Sequence, residues 1–345
     1  MVSHMDSRKV QKVGYSTLSI SLPSKWVNEV GLKRGDTVFL LPEKDGALTL
    51  TRNLLEPKKV LEKWVCNVDL CNQPKMLERL IVGNYILGRN LMSINSSKRI
   101  QSEHIKEIRG IIRKLIGVGI IEETSNHILL QCSVDPRQFH LDMLLRRLSI
   151  IALTIVKESI EALVNSDESL AKDAIDREDE ADMMFLLAMR LLISAQRKKE
   201  IAETIGLTDP LHVLYFGLML RYLELIGDYA EENARTVIDL IQKDKKILPK
   251  WAIDRINNYN ELAYNLVEKS VDCFFTGNIK NANSLLETLT VIENERIRLT
   301  QELPEIPRVC CILWNINRIA YNGAGIALKA INNALERKTK MCCKS

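Results

Sequence analysis

The chain has 345 residues, 46% hydrophobic, 27% charged and only 5% aromatic, with a net charge of +4. That length accommodates two or three domains, and the composition excludes a disordered chain. So few aromatics argue against a base-stacking nucleic-acid platform, and +4 is too small for a protein coated in basic residues. Between Ser7 and Asn53, however, eight Lys and Arg face four Asp and Glu, so the whole excess lies in that segment. Apolar runs such as Ile150–Val156 and Met183–Met189 fall far short of the roughly 18 residues of a membrane span. No charged run followed by an apolar stretch precedes the first strand, so a cytoplasmic protein without membrane insertion is expected. The eight cysteines, among them Cys66/Cys71, Cys310/Cys311 and Cys342/Cys343, form no CxxC pair and read as reduced thiols of core or tail.

In chain order, Val10–Val13 and Thr17–Leu22 predict short strands around Gly14, and Lys25–Val30 a turn or two of helix that Gly31 ends. Thr37–Leu41 and Ala47–Thr51 predict a hairpin closed at Asp45-Gly46. So small a β-rich unit buries little core by itself and is expected to pair with a second copy. Pairing would double the positive charge on one surface, which suits a phosphate backbone. Residues 56–136 predict a small α/β connector, with strands at Val60–Val68, Ile120–Glu123 and Ile128–Cys132, helices at Pro74–Leu87 and Ser102–Leu115, and a turn near Asn126. Its Gly83, Gly88 and Arg89 have the spacing of a phosphate loop without the Lys-Ser/Thr, and Gly117-Val118-Gly119 lacks a third glycine. Both read as ordinary turns and packing.

From Leu141 onward a 3.6-residue period predicts six long helices: Leu141–Asn165, Leu170–Arg197, Leu211–Lys243, Trp251–Phe275, Lys280–Glu302 and Pro307–Leu335. Pro210, Pro249 and Pro304 to Pro307 punctuate the gaps. Long helices with short links pack as up-and-down bundles, and six divide into two sets of three, residues 137–245 and 249–338.

The acids fall in unusual places. In the second helix Ala171, Ala174, Glu178, Ala181/Asp182, Phe185 and Met189 keep helical spacing, so Glu178 and Asp182 occupy positions that should be apolar. In the third, Phe216, Leu220, Leu223, Gly227, Ala230, Ala234 and Val237 form the seam, with Glu224, Asp228 and Glu231 beside it. Like charges four apart destabilise a helix by roughly 0.2–0.5 kcal/mol. Two readings stay open on this pattern: a solvated acidic face, or carboxylates compensated by a cation. An ExxxD pair on each of two neighbouring helices presents four carboxylates to one site, as in bundle metal centres. None of the five histidines lies on these stripes, so a metal here is expected to be held by oxygen, as a divalent or trivalent Mg, Mn or Fe ion. Its expected ligands are Glu178, Asp182, Glu224, Asp228 and Glu231.

Two resemblances bear on these patterns. Val10-Gln11-Lys12-Val13-Gly14, Ser19-Ile20-Ser21-Leu22-Pro23-Ser24-Lys25-Trp26 and Gly31-Leu32-Lys33-Arg34-Gly35-Asp36 together resemble the AbrB/SpoVT swapped-hairpin domain. That resemblance implies a homodimer of interleaved hairpins over residues 7–53 that binds DNA, with Arg8, Lys9 and Lys12 as contacting residues. Arg221-Tyr222-Leu223-Glu224-Leu225-Ile226-Gly227-Asp228-Tyr229-Ala230-Glu231-Glu232-Asn233 looks like the ERIGDxAxNI signature of PhoU, the phosphate-uptake regulator. Asp176 to Asp182 is similar to that family's other acidic motif. The PhoU resemblance implies tandem three-helix bundles, metal held by ExxxD motifs, and restraint of phosphate uptake through a transporter and its signalling partners. In the second bundle Asn317 and Tyr321 stand opposite Glu224 and Asp228, and Glu287 and Val291 opposite Glu178 and Asp182, so metal is expected in the first bundle only, or with a much weaker second site.

The expected fold class is therefore multi-domain: a small β-rich swapped-hairpin domain, a small α/β connector, then all-α tandem three-helix bundles. The expected function is that of a non-enzymatic, phosphate-responsive regulator. Its rivals are a metal-dependent helical-bundle enzyme, for which no base stands out, and a plain AbrB-type transcriptional regulator.

Overall fold

The computed structural model describes residues 7–42, 46–52, 63–207, 209–243, 248–303 and 306–336. Asp45 of the expected hairpin turn, the Val60 start of the first connector strand, Pro304, Cys342 and Cys343 lie outside the described residues. The chain divides into two compact units with the break at residue 60.

In the first unit β1 (Gln11–Val13) pairs antiparallel with β2 (Thr17–Ser19), and β3 (Phe39–Pro42) with β4 (Leu48–Thr51). Gly14, at φ +71°, turns the first hairpin in a conformation open to glycine. A single short helix, α1 (Ser24–Glu29), separates the hairpins. The Gly31 to Asp36 run then closes on itself. The Lys33 backbone N–H donates to Asp36 Oδ2 at 2.9 Å, and Arg52 donates to the Val30 carbonyl at 2.7 Å while pairing with Asp36 at 3.4 Å. Yet none of the described residues of this unit is buried, and Val10, Val13, Leu18, Ile20, Leu40 and Leu48 are all exposed. The described residues of this unit therefore supply little apolar burial to stabilise it.

The second unit opens with a four-stranded sheet in the order β5-β6-β8-β7. Its strands are β5 (Lys63–Asn67), β6 (Leu91–Asn95), β7 (Val118–Glu123) and β8 (His127–Cys132). Helix α2 (Met76–Ile86) crosses between the parallel neighbours β5 and β6, and α3 (Ser102–Ile112) leads into the β7–β8 hairpin. Strand β6 escapes the sequence pattern. It is central, paired on both sides, and buries Met92, Ser93 and Ile94 in succession, so no alternation marks it. Gly83 lies inside α2 and Gly88, at φ +83°, turns the chain out of it, so the phosphate-loop spacing is a helix and its exit.

The rest is helical. One bundle is α4 (Leu141–Asn165), α5 (Glu168–Arg197) and α7 (Pro210–Lys243), with a short, unanticipated α6 (Lys199–Thr204) in the link. The other is α8 (Lys250–Thr276), α9 (Ile279–Glu302) and α10 (Pro307–Glu336). Each of the six long helices begins and ends within two residues of the span its periodicity predicts. Local chemistry sets several of these ends: Asp167 accepts the Ser169 and Leu170 N–H groups to start α5, and Gly277, at φ +70°, ends α8. Helix α10 runs against both α7 and α8, and glycine makes the approach close. A Cβ on Gly323 would stand 2.5 Å from the Leu266 side chain, and one on Gly325 2.7 Å from the Tyr222 ring.

Arg190 joins the sheet to the first bundle. It is 1% exposed on α5, and its guanidinium donates to the carbonyls of Tyr85 at 2.6 Å, Arg89 at 3.1 Å and Gly88 at 3.4 Å. These carbonyls lie at the end of α2, where no further turn of helix supplies donors. Replacing Arg190 with Met, which keeps the stem and removes the donors, is expected to lower stability by about 3 kcal/mol. Urea unfolding measures the loss, and hydrogen exchange should show it concentrated at residues 85–90.

Candidate metal centre

Helix α5 places Glu178 among Ala174 and Ala181 on its buried stripe, so this carboxylate is only 7% exposed. One carboxylate oxygen from each of Glu178, Asp179 and Asp182 lies within 4.8 Å of the other two, a grouping that can hold a metal ion. The facing α7 seam is the expected one, with Phe216, Leu220, Leu223, Ala230, Ala234 and Val237 buried. Beside it stand Glu224, Asp228 and Glu231, each partly buried.

These acids share one electrostatic environment. Burial, then the charges of Asp182, Glu231 and Asp228, push the Glu178 carboxyl up to about 8. Burial and then Asp228 push Glu224 up to about 7, against the opposing pull of Arg221. Asp228 is raised as well, by burial first and Asp182 next. Cations answer some of this charge. Arg221 pairs with Glu224, Arg235 with Glu231 at 2.5 Å, and Lys114 with Asp179 at 2.6 Å and Asp182 at 3.3 Å. Glu178 and Asp228 make no hydrogen bond or ion pair among the described residues.

A carboxylate nine-tenths buried, with no donor turned toward it, fits a cation. The donors are all carboxylate oxygens, which suits a hard ion such as Mg or Mn, or iron. Of the expected ligands the structure brings Glu178 and Asp182 together, with Asp179, within reach of one ion, while Glu224, Asp228 and Glu231 fall outside that grouping; an ion held there would supply the positive charge that the burial of Glu178 lacks. The sequence pattern did not single out Asp179 or Lys114. Asp179 lies on the exposed side of the turn that carries Glu178, where an acid needs no explanation. Lys114 comes from another part of the chain and carries no local signal.

The second bundle is built differently at the corresponding positions. Asn317 is buried and accepts the Tyr259 hydroxyl at 3.2 Å, while Glu287, Val291 and Tyr321 are exposed. In the first unit Arg8, Lys9 and Lys12 all lie exposed at β1. The described thiols are free: Cys66, Cys71, Cys132 and Cys273 are buried, and burial with Cys71 alongside pushes Cys66 up to about 12.

Against known families, residues 145–237 match the PhoU domain, so the first bundle is PhoU-like, and residues 11–62 match a domain described as antidote-toxin recognition MazE, bacterial antitoxin. Both resemblances read from the sequence are thereby found again, the N-terminal one in MazE/AbrB-like form. Over 116 residues the chain is 26% identical to the phosphate-specific transport system accessory protein PhoU homolog of Xylella fastidiosa strain Temecula1, covering 34% of this chain and 45% of that protein. The homolog from strain 9a5c is also 26% identical over 116 residues, 46% of its length. The chain thus spans less than half the length of these curated relatives. The structure is also similar to PhoU from Pseudomonas aeruginosa, with a TM-score of 0.49 and 19% identity, covering 58% of this chain and 96% of that one.

The raised carboxyls have a consequence for stability. Between an unfolded value near 4.5 and folded values of about 8 and 7, the folded chain holds protons at Glu178 and Glu224 that the unfolded chain has released. Their contribution is therefore most favourable at low pH and declines as pH rises through that window. Without added metal, the drop in urea midpoint between pH 5.5 and pH 8 should be smaller in the Glu178→Gln/Glu224→Gln variant than in the parent chain.

Proposed function

We propose that the chain is a phosphate-responsive regulator of phosphate uptake and homeostasis. One observation carries the reading: the PhoU match spans most of α4, all of α5 and most of α7, and so contains every one of the five expected ligands, with Glu178 buried and unpaired among them. In this reading the two bundles, residues 137–245 and 249–338, dock on a phosphate transporter or its signalling partner. A Mg, Mn or Fe ion bound by the carboxylates holds the α5–α7 surface in shape for docking. Residues 7–53 form a homodimer, a role supported by the MazE/AbrB-like match and by exposed apolar side chains. The same unit meets duplex DNA through Arg8, Lys9 and Lys12, and residues 56–136 connect it to the bundles. The protein works in the cytoplasm without catalysing a reaction; among the described residues no helix is long and apolar enough to cross a membrane.

Elemental analysis of the purified protein tests the metal. Replacing Glu178 and Glu224 with Gln and Asp182 and Asp228 with Asn should abolish bound metal together with its stabilising thermal shift; unchanged metal content would overturn the reading. For DNA, the triple change of Arg8, Lys9 and Lys12 to Gln should weaken duplex binding about equally across sequences. The slope of log affinity against log salt should flatten by about 0.9 for each phosphate that is no longer neutralised. Fluorescence anisotropy over a salt series reads both effects, and a parent chain with no salt-sensitive binding would remove DNA from the function.

A further inference from the structure

We infer that Lys114 is a built-in competitor for the cation of the first-bundle site, so that metal binding and the contact of the α3–β7 corner with α5 oppose one another. The inference rests on the reading of the carboxylates as a metal site, and it assigns that site a regulator within the same chain.

Lys114 lies just past α3, on the corner that leads into β7. The corner is ordered by its own backbone: the Lys114 N–H donates to Ile111 O at 2.9 Å, Val118 N–H donates to Leu115 O at 3.1 Å, and Gly117 takes φ +76°. From there the ammonium crosses to α5, 2.6 Å from Asp179 Oδ1 and 3.3 Å from Asp182 Oδ2. Arg221 and Arg235, the other cations at the cluster, belong to α7 itself, whereas Lys114 comes from the connector.

An ammonium group is a poor substitute for a metal ion. It is a single charge with three donors, and here it serves the outer pair of acids while Glu178, one turn from Asp182, stays buried and unpaired. A divalent ion gathers several carboxylate oxygens at once and so reaches Glu178. It would also share Asp182 with the ammonium at a separation of a few ångströms, where two cations repel. Metal therefore binds against Lys114, and by linkage anything that lifts Lys114 off α5 tightens the metal.

The connector has a second attachment that metal leaves alone. Arg190 holds the end of α2 from a point eight residues beyond Asp182 on the same helix, about 12 Å along its axis. Release of Lys114 thus loosens the hold of the α3–β7 corner on α5, while the Tyr85 hydroxyl on Ile116 O at 3.1 Å and the Ser133 N–H on Gly117 O at 2.8 Å keep the corner tied to the rest of the connector. Occupancy of the carboxylates becomes a change in how firmly that corner is held on α5.

The test uses the full chain, manganese(II) as the probe, and the variants Lys114→Met, which keeps the aliphatic stem, and Lys114→Arg, which keeps the charge. Calorimetric titration should show manganese binding about tenfold tighter to Lys114→Met than to the parent, with Lys114→Arg close to the parent. Hydrogen exchange at residues 112–118 should rise on manganese addition in the parent, and be already raised and insensitive to manganese in Lys114→Met. Lys114→Gln serves in place of Lys114→Met should the latter fail to give a parent-like circular dichroism spectrum. Equal or weaker binding by the variant, or parent exchange at 112–118 unmoved by manganese, overturns the inference and leaves the metal site standing. Absence of manganese binding to both chains overturns the metal site, and this inference with it.

Discussion

Two packed helices that each turn carboxylates toward the same seam cannot keep them all charged without positive charge nearby. Much of the first bundle follows from that constraint. Arg221 and Arg235 stand one turn from the acids they neutralise on α7, and Lys114 is brought in from another part of the chain to serve α5. What the side chains supply still leaves Glu178 without a partner, and its carboxyl moves far from its ordinary range in response. A core of Ala, Leu and Val at those positions would be simpler and more stable, because a buried charge is repaid only when fully partnered. The acids are therefore a cost that stability does not explain, and this is the physical reason to assign them a ligand.

The two bundles resolve the same geometry in different ways. Where the first carries acids at its seam, the second carries a buried asparagine bonded to a tyrosine, and its ion pairs lie farther out, as with Arg255 between Glu295 and Glu302. Neutral hydrogen bonds need no external ion, so the Asn317–Tyr259 pair is complete without one. Glycine makes the packing of this bundle close: on α10, Gly323 leaves room for Val267 of α8 in the same bundle and Gly325 for Tyr222 of α7, where any larger residue would push the helices apart. One bundle is thus shaped by charge and the other by close packing.

What the sequence revealed follows from how local each signal is. The helices were legible because every one carries a long stripe of 3.6-residue period, and Glu178 because an acid interrupts such a stripe between Ala174 and Ala181. The facing acids of α7 were legible from the same period. Strand β6 was not, since a five-residue strand with three consecutive buried residues at the centre of a sheet shows neither alternation nor length. Lys114 was beyond reach for another reason. Its partners stand 65 and 68 residues further along the chain, and a lysine after an amphipathic helix looks like any solvated residue until the fold brings α5 beside it. The exposed apolar residues of the first hairpins were individually ordinary; only the structure, in which none of the described residues of that unit is buried, sets them apart.

The guanidinium of Arg190 also sets a limit on how the chain can be divided. The sequence invites a cut between the sheet and the helices, near residue 136, and the PhoU match begins only at residue 145. A helical fragment made that way would carry a cation evolved for burial with nothing to receive it, on a helix flank suddenly open to water. The sheet, for its part, would lose the donors that close α2. Boundaries of ancestry and boundaries of folding do not coincide here. A cut at residue 136 would sever the bonds by which Arg190 holds the carbonyls of Tyr85, Gly88 and Arg89.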